Sequence, residues 1–345
     1  MPTHASRRLP GLARALASLA AVLLAVSACG SSGAVASATG SAPSTAASTA
    51  PATRTPPTPT AVPSASPLAA LTLLWQRSGH VTEKVATYWP AIDPKTGNIW
   101  VAASRQNQFW IFSPDGKFLE AWGTPGKGPG QFKLTSNDPS PDSVGAIAFA
   151  PDGSFYVTDT GNYRVEKFDA HRHFVTTWGS FGTGDGQFGS PKGVATDGKT
   201  VYVSDDPRAD VQAFDMTGQF LHSFPFPFVL FTLAPSGHLF VTDETGVLEL
   251  DGHGKRVAHH DIDYTALGGG GAQVAVDAAG HIFVEIQNDS GPVGLVELDA
   301  RGAVLNEWAG GGETMALSRD GKAVYLAYTG PPDVGWDFIR KYTLP

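Results

Sequence analysis

Six times between residues 97 and 321 the chain repeats one phrase: a short apolar run, a turn ending in glycine, then a second apolar run. The turn glycines are Gly97, Gly153, Gly198, Gly237, Gly280 and Gly321, spaced 56, 45, 39, 43 and 41 residues apart. Each is followed by a β-rich stretch: "NIWVA", "SFYVTD", "KTVYVSD", "HLFVTD", "HIFVE" and "KAVYLA". Third strands come next, such as "RVEKFD", "DVQAFDMTG" and "GLVELDARG". Fourth strands end in an aromatic at Trp122, Trp178, Phe224 and Trp308. A single unit of this kind has too little surface to bury its own apolar faces, so units must stack on their neighbours. Six units of four short strands predict an all-β fold, a six-bladed β-propeller of four-stranded antiparallel blades. The 40 glycines and 26 prolines among 345 residues supply the turns that such a fold needs.

The last unit stops after its third strand, at Pro345, while an orphan "LTLLWQRSG" precedes the first unit. The N-terminal strand is therefore expected to complete the sixth blade, with Trp75 in the aromatic place of Trp122 and Trp178. That would close the ring and remove free sheet edges. "WGTPGKGPGQF" (122–132) and "WGSFGTGDGQF" (178–188) read as links from the fourth strand of one blade to the first strand of the next. They define an upper face, where the chain enters each inner strand. After the first copy an insertion, "KLTSNDPSPDS", lengthens the period to 56 residues.

"GQFGSPKGVATDGKTVYVSDDPRADVQAFDMTGQFL" and "GAIAFAPDGSFYVTDTGNYRVEKFD" resemble NHL repeats. Gly-x-Phe, Pro-x-Gly-Val-Ala, Tyr-Val-x-Asp, Asn-x-Arg-Val and Phe-Asp stand where that family has them. The resemblance is closest in the second and third units, looser in the first and loosest in the last three. It spans residues 70–345. It implies functional loops on the upper face beside a central channel. In that family the turn Asp and Arg pattern is largely structural. Trp-Asp at the end of a third strand, as in WD40, and the double glycine of kelch repeats are missing.

The N-terminus reads as an address. Arg7, Arg8 and Arg14 precede the apolar run "LASLAAVLLAVSA", which is short for a membrane span. Residues 1–28 are expected to be a secretory signal peptide. Val26-Ser27-Ala28-Cys29-Gly30 resembles a bacterial lipobox, which implies acylation of Cys29, the single cysteine. Residues 29–67 then form a Ser/Thr/Ala/Pro-rich stalk, expected to be disordered, and 68–345 the propeller. Without residues 1–28 the chain keeps 21 basic and 32 acidic side chains, a net of −11. That charge opposes nucleic acid binding. The expected location is the cell envelope, outside the cytoplasm, tethered to the membrane by lipid alone; the expected state is a monomer.

"GVATDGKT" (193–200) satisfies the phosphate-loop pattern but is followed by the alternating strand "VYVSD" instead of a helix, so nucleotide binding is not expected. Metal ligands in such rings would come from the start of the inner strands. Aligning the residue two before the first core position in each unit gives Tyr88, Gly145, Lys192, Val229, Ala272 and Glu313. One carboxylate and no histidine make a poor zinc or calcium site, so neither a metal nor another cofactor is expected. Lys192 and Glu313, three blades apart, are expected to face each other across the channel mouth with Tyr88 beside Glu313. Arg164 and Arg208, in the turns "TDTGNYRV" and "SDDPRADV", complete the candidate ligand-contact set. "PFPFVLF" (225–231) reads either as a buried crossover or as an exposed aromatic patch. No catalytic set is recognisable. The first reading is a non-catalytic scaffold that binds a protein, peptide or carbohydrate on the upper face. The alternative is a propeller hydrolase or lyase with its site at the channel.

Overall fold

The computed structural model describes residues 69–70, 72–78, 87–135, 145–228, 230–312, 314–318, 320–327 and 337–344. The expected signal peptide, Cys29 and the stalk lie outside the described residues. Six sheets are arranged as a β-propeller, and Thr124–Pro125 pairs in parallel with Gln131–Phe132 in the first link. Blade one is Thr87–Ile92, Ile99–Ala103, Gln108–Phe112 and Phe118–Trp122, each strand antiparallel to the next. Blade two is Ile147–Phe149, Phe155–Asp159, Arg164–Phe168 and Phe174–Trp178. Blade three is Pro191–Thr196, Thr200–Asp205, Asp210–Asp215 and Phe220–Pro225. Blade four is Thr232–Leu233, Leu239–Asp243, Gly246–Leu250 and Arg256–Asp261. Blade five is Gly270–Val276, Ile282–Asn288, Gly291–Leu298 and Val304–Ala309. Blade six is Thr314–Leu317, Ala323–Ala327, Asp337–Thr343 and, from the N-terminal side, Thr72–Ser78.

The inner strands contact one another in sequence around the ring, and the first meets the last. There the Trp89 N–H donates to Thr314 Oγ1 at 3.3 Å. The second strands are the most buried layer, as their continuous apolar runs require. Val101, Val157, Val203, Val241 and Val284, at one position in five successive blades, are all buried. Between blades one and two the filling is aromatic: Trp100, Trp122, Phe132, Phe155 and Phe168 form one cluster, with Trp122 and Phe168 edge to face at 4.9 Å.

Each outer strand carries a bulge at the same place. The register slips between Ile111 and Phe112, Lys167 and Phe168, Ala213 and Phe214, Glu249 and Leu250, and Glu297 and Leu298. The extra residues opposite are Leu119, Val175, Leu221, Val257 and Leu305, each 44–51% exposed. In blade six the slip leaves Leu74 in that position, between Leu73 opposite Tyr342 and Trp75 opposite Lys341. Arg77 therefore stands opposite Ile339, in the register of Trp122 opposite Phe109. This corrects the expected place of Trp75 by two residues. A bulge fixes register by inserting one residue, and the aliphatic residue that takes the bulge marks the strand better than the aromatic beyond it. A short strand, Ala69–Ala70, also adds in parallel to the outer strand of blade five.

"PFPFVLF" is the buried crossover: Phe226 is fully buried, and Phe228 and Phe231 pack on the same cluster. "GVATDGKT" runs from an inner strand through a hairpin turn into a second strand, with Lys199 exposed.

Candidate functional site

The upper face is built from the links and from the turns between second and third strands. In blades one to three that turn is a single 3-10 turn, Ser104–Gln106, Thr160–Asn162 and Asp206–Arg208. Each ends on a residue in the left-handed region: Asn107 at φ 54°, Tyr163 at 58° and Ala209 at 51°. Asparagine tolerates that conformation, but for a large aromatic it stores strain.

Arg164 anchors the first link. Its Nε donates to Asp159 Oδ2 at 2.8 Å, Nη1 to the Lys127 carbonyl at 2.6 Å, and Nη2 to the carbonyls of Gly128 and Gln131 at 3.0 and 2.9 Å. Nη2 also pairs with Glu166 Oε1. The other Glu166 oxygen accepts the Gly130 N–H at 2.8 Å, and Asp159 Oδ1 accepts the Lys133 N–H at 2.6 Å. Both carboxylates are fully buried. Burial pushes the Glu166 carboxyl up to about 7, against the pull of the Gly130 N–H and Arg164. Burial also raises Asp159 and Asp205.

The second link is held by the same scheme with different residues. Asp205 accepts the N–H groups of Gly189 and Ser190 at 2.7 and 2.6 Å. Gln212 takes the place of Glu166, accepting from Gly186 N–H at 2.8 Å and donating to the Gln187 carbonyl at 2.7 Å. Arg208 donates to the Gly184 carbonyl at 2.9 Å and to Asp210 Oδ2 at 2.7 Å. The Asp210 hydrogen bond and charge hold its guanidinium even further up than usual. Arg164 and Arg208 thus fasten separate links, and their side chains are not brought together.

Lys192 lies at the start of the blade-three inner strand. Its Nζ is 2.6 Å from Asp206 Oδ2 and its side chain is only 10% exposed. The inner-strand alignment has a structural counterpart. Thr158 Oγ1 donates to the Lys192 carbonyl at 2.6 Å, and the equivalent Thr242 Oγ1 to the Ala272 carbonyl at 3.4 Å. Glu313 lies outside the described residues. Tyr88 is in the blade-one inner strand, and its side chain is outside them.

Two upper-face residues were not singled out from the sequence. Phe181, in the second link, is 70% exposed, the most exposed of the large apolar side chains described. Its ring lies 4.9 Å from that of Tyr163. Proline (Pro125) takes the Phe181 place in the first link. The two aromatics therefore break the repeat at positions where the fold accepts Asn, Ala or Pro. Comparing the two links and the three turns position by position finds them.

The lower face offers a second concavity, about 350 Å³ in volume. It is bounded by the ends of inner strands at Ile92, Phe149, Thr196 and Leu317 and by the turn prolines Pro94 and Pro151. Its lining is mainly apolar, with Thr196 the one polar side chain.

Among the described residues no three His, Cys, Asp or Glu are placed to hold a metal ion. Five of the described histidines, His173, His238, His259, His260 and His281, lie against carboxylates. His238 Nδ1 is 2.5 Å from Glu249, and His281 Nδ1, in the same repeat position, is 3.0 Å from Glu297.

No family model matches the chain, and no curated protein does. Solved structures match as folds. The WD40 repeats of RRP9 superpose at a TM-score of 0.56 and 11% identity, over 81% of this chain and 100% of that one. A putative gluconolactonase gives 0.54 and 17% over 80% and 92%. A streptogramin B lyase gives 0.51 and 12% over 78% and 98%. The chain is a β-propeller. Its structural neighbours have varied roles, and identities this low show the shared fold alone.

Proposed function

We propose that this propeller is an extracytoplasmic, lipid-anchored scaffold of the NHL type that binds a protein, peptide or carbohydrate on its upper face without transforming it. The observation that carries the reading is the Tyr163–Phe181 pair. An exposed phenylalanine is mounted on a link whose backbone is pinned by Asp205, Arg208 and Gln212, and a strained tyrosine from the blade-two turn lies against its ring. Pre-organised aromatic surface binds at low entropic cost. Arg164 and Arg208 serve this face chiefly by fixing its loops. Lys192, paired with Asp206, supplies the charge at the start of the blade-three inner strand, and Tyr88 and Glu313 belong to the same proposed contact set. The lipobox reading of Cys29 supplies the tether.

The test has two parts. The purified chain is exposed to glycan and peptide arrays and to envelope extract, and any ligand captured is measured against Phe181→Ala and Lys192→Ala. A loss of roughly tenfold or more with Phe181→Ala supports the reading; unchanged binding by both variants removes it. Turnover in a lactonase and lyase screen would favour the enzymatic alternative. Separately, Cys29→Ser should move the protein from the membrane fraction to the soluble one.

A further inference from the structure

The second strands of blades two, three and four end on aspartate at one register position. Asp159 is opposite Arg164, Asp205 opposite Asp210 and Asp243 opposite Gly246. In blades two and three a guanidinium lies against the carboxylate: Arg164 Nε at 2.8 Å and Arg208 Nε at 3.9 Å. The blade-four turn is shorter and brings no arginine, "DETG" where its neighbours have "DTGNYR" and "DDPRAD".

Its partner comes from the outer strand instead. His259 Nε2 lies 2.9 Å from Asp243 Oδ2 and 3.1 Å from Oδ1. His259 Nδ1 lies 2.7 Å from Asp261 Oδ1. An ionised carboxylate only accepts, so both ring nitrogens must carry a proton for both bonds to form. Guanidinium keeps its charge at any ordinary pH, whereas imidazole exchanges its second proton near neutrality.

The turn that His259 holds is a fastening point. The Thr245 N–H donates to Asp243 Oδ1 at 2.8 Å, and the Thr245 carbonyl accepts the Ile262 N–H at 2.9 Å. Tyr264 Oη donates to the Gly246 carbonyl at 2.8 Å. Residues 262–269 are the link into the blade-five inner strand, Gly270–Val276, beside the channel.

We infer that the blade-four turn is a pH-gated clamp on the 262–269 link, closed while His259 carries both ring protons and loosened when it loses one. The charged groups facing the ring are Asp243, from the second strand, and Asp261, from its own strand. Thr245 Oγ1, 3.2 Å from Nε2, is neutral. Tyr264, in the link itself, has its hydroxyl pushed up by burial and then by the Asp243 charge, and stays protonated throughout. Deprotonation breaks one imidazole bond and leaves two carboxylates facing each other across a neutral ring. The clamp is present while the ring holds both protons and is lost once rising pH removes one. The inference stands apart from the identity of any ligand.

Hydrogen exchange of the full chain at about pH 5.5 and about pH 8, corrected for intrinsic exchange rates, tests it. Peptides covering 262–269 should lose roughly tenfold in protection at the higher pH. Those covering 183–190, pinned by Arg208 and Gln212, should hold theirs. His259→Gln should give the weaker protection at both pH values. Asp261→Asn, at a site 93% exposed and harmless to folding, should flatten the pH dependence. Equal protection of 262–269 at both pH values overturns the inference. So does loosening of both links together, or a pH response that persists undiminished in Asp261→Asn.

Discussion

Blades two and three tie their upper-face turns and links with arginine and lysine, whereas blades four and five set histidine against carboxylates. Arg164, Lys192 and Arg208 pair with Asp159, Glu166, Asp206 and Asp210 on one side of the ring. On the other, His238 and His260 share Glu249, His259 bridges Asp243 and Asp261, and His281 meets Glu297. The four-stranded blades keep the same register, while the turn between second and third strands is shorter in blade four than in blades two and three. What differs is the condition under which each holds. Guanidinium pairs depend on geometry, and imidazole pairs depend on geometry and pH.

The largest expected difference between the two sides comes from removing one cation from each. Arg164→Ala leaves Asp159 and Glu166 buried without their partner and frees three carbonyls, at a cost of about 3–5 kcal/mol. His259→Gln keeps a donor for Asp243 and should cost only about 1 kcal/mol. Chemical denaturation of both variants near neutral pH measures the gap. Comparable losses would show that the histidine side is as firmly tied as the arginine side.

A second contrast lies within the arginine side. Burial pushes the Glu166 carboxyl up to about 7, while Gln212, in the same place, accepts the Gly186 N–H with no charge. For a carboxyl raised in the native state, the native form holds the proton more tightly. Its contribution to stability is full below the ordinary carboxyl range, which lies near 4.5, and is lost as pH rises to about 7. Wild-type stability should therefore fall across that interval, by up to about 1 kcal/mol per pH unit from this group. In Glu166→Gln that component should vanish, leaving a protein at least as stable at neutral pH. Denaturation series across pH, with and without the substitution, read the difference directly. Parallel curves for the two proteins would refute the assignment.

The smallest expected effect on the fold is at the break in the repeat. Phe181→Pro restores what the first link carries at that position, and Phe181→Ala removes the exposed ring. Alanine should change stability by no more than about 0.5 kcal/mol. A loss several times larger would make Phe181 a packing residue and not a contact for a ligand.

The architecture was legible because a propeller is written locally. Turn glycines such as Gly153 and Gly198 adopt positive φ, at 88° and 83°, and alternate with apolar second strands at a steady period. The inner-strand positions of Lys192 and Ala272 followed from the same repetition. The seam was less legible. Trp75 looked like the partner of Trp122, but the bulge at Leu74 decides the register, and a bulge is a property of two paired strands. The histidines were equally opaque: His259 and Asp243 are 16 residues apart, and nothing in "VAHHD" says which carboxylate the ring will meet.

The sequence by itself determined that this chain repeats a four-stranded unit six times. Each turn and each apolar run is short, and the local rules of glycine, aspartate and alternation suffice to specify them. Only the tertiary structure decided what the charged groups do. Arg164, a candidate ligand contact in a turn pattern expected to be largely structural, is consumed by three carbonyls and two carboxylates. Phe181, which reads as one more apolar residue, is left facing outward beside a strained Tyr163. Local sequence sets backbone conformation over a few residues. Whether a polar or aromatic side chain is used up or left free depends on groups brought to it from other strands.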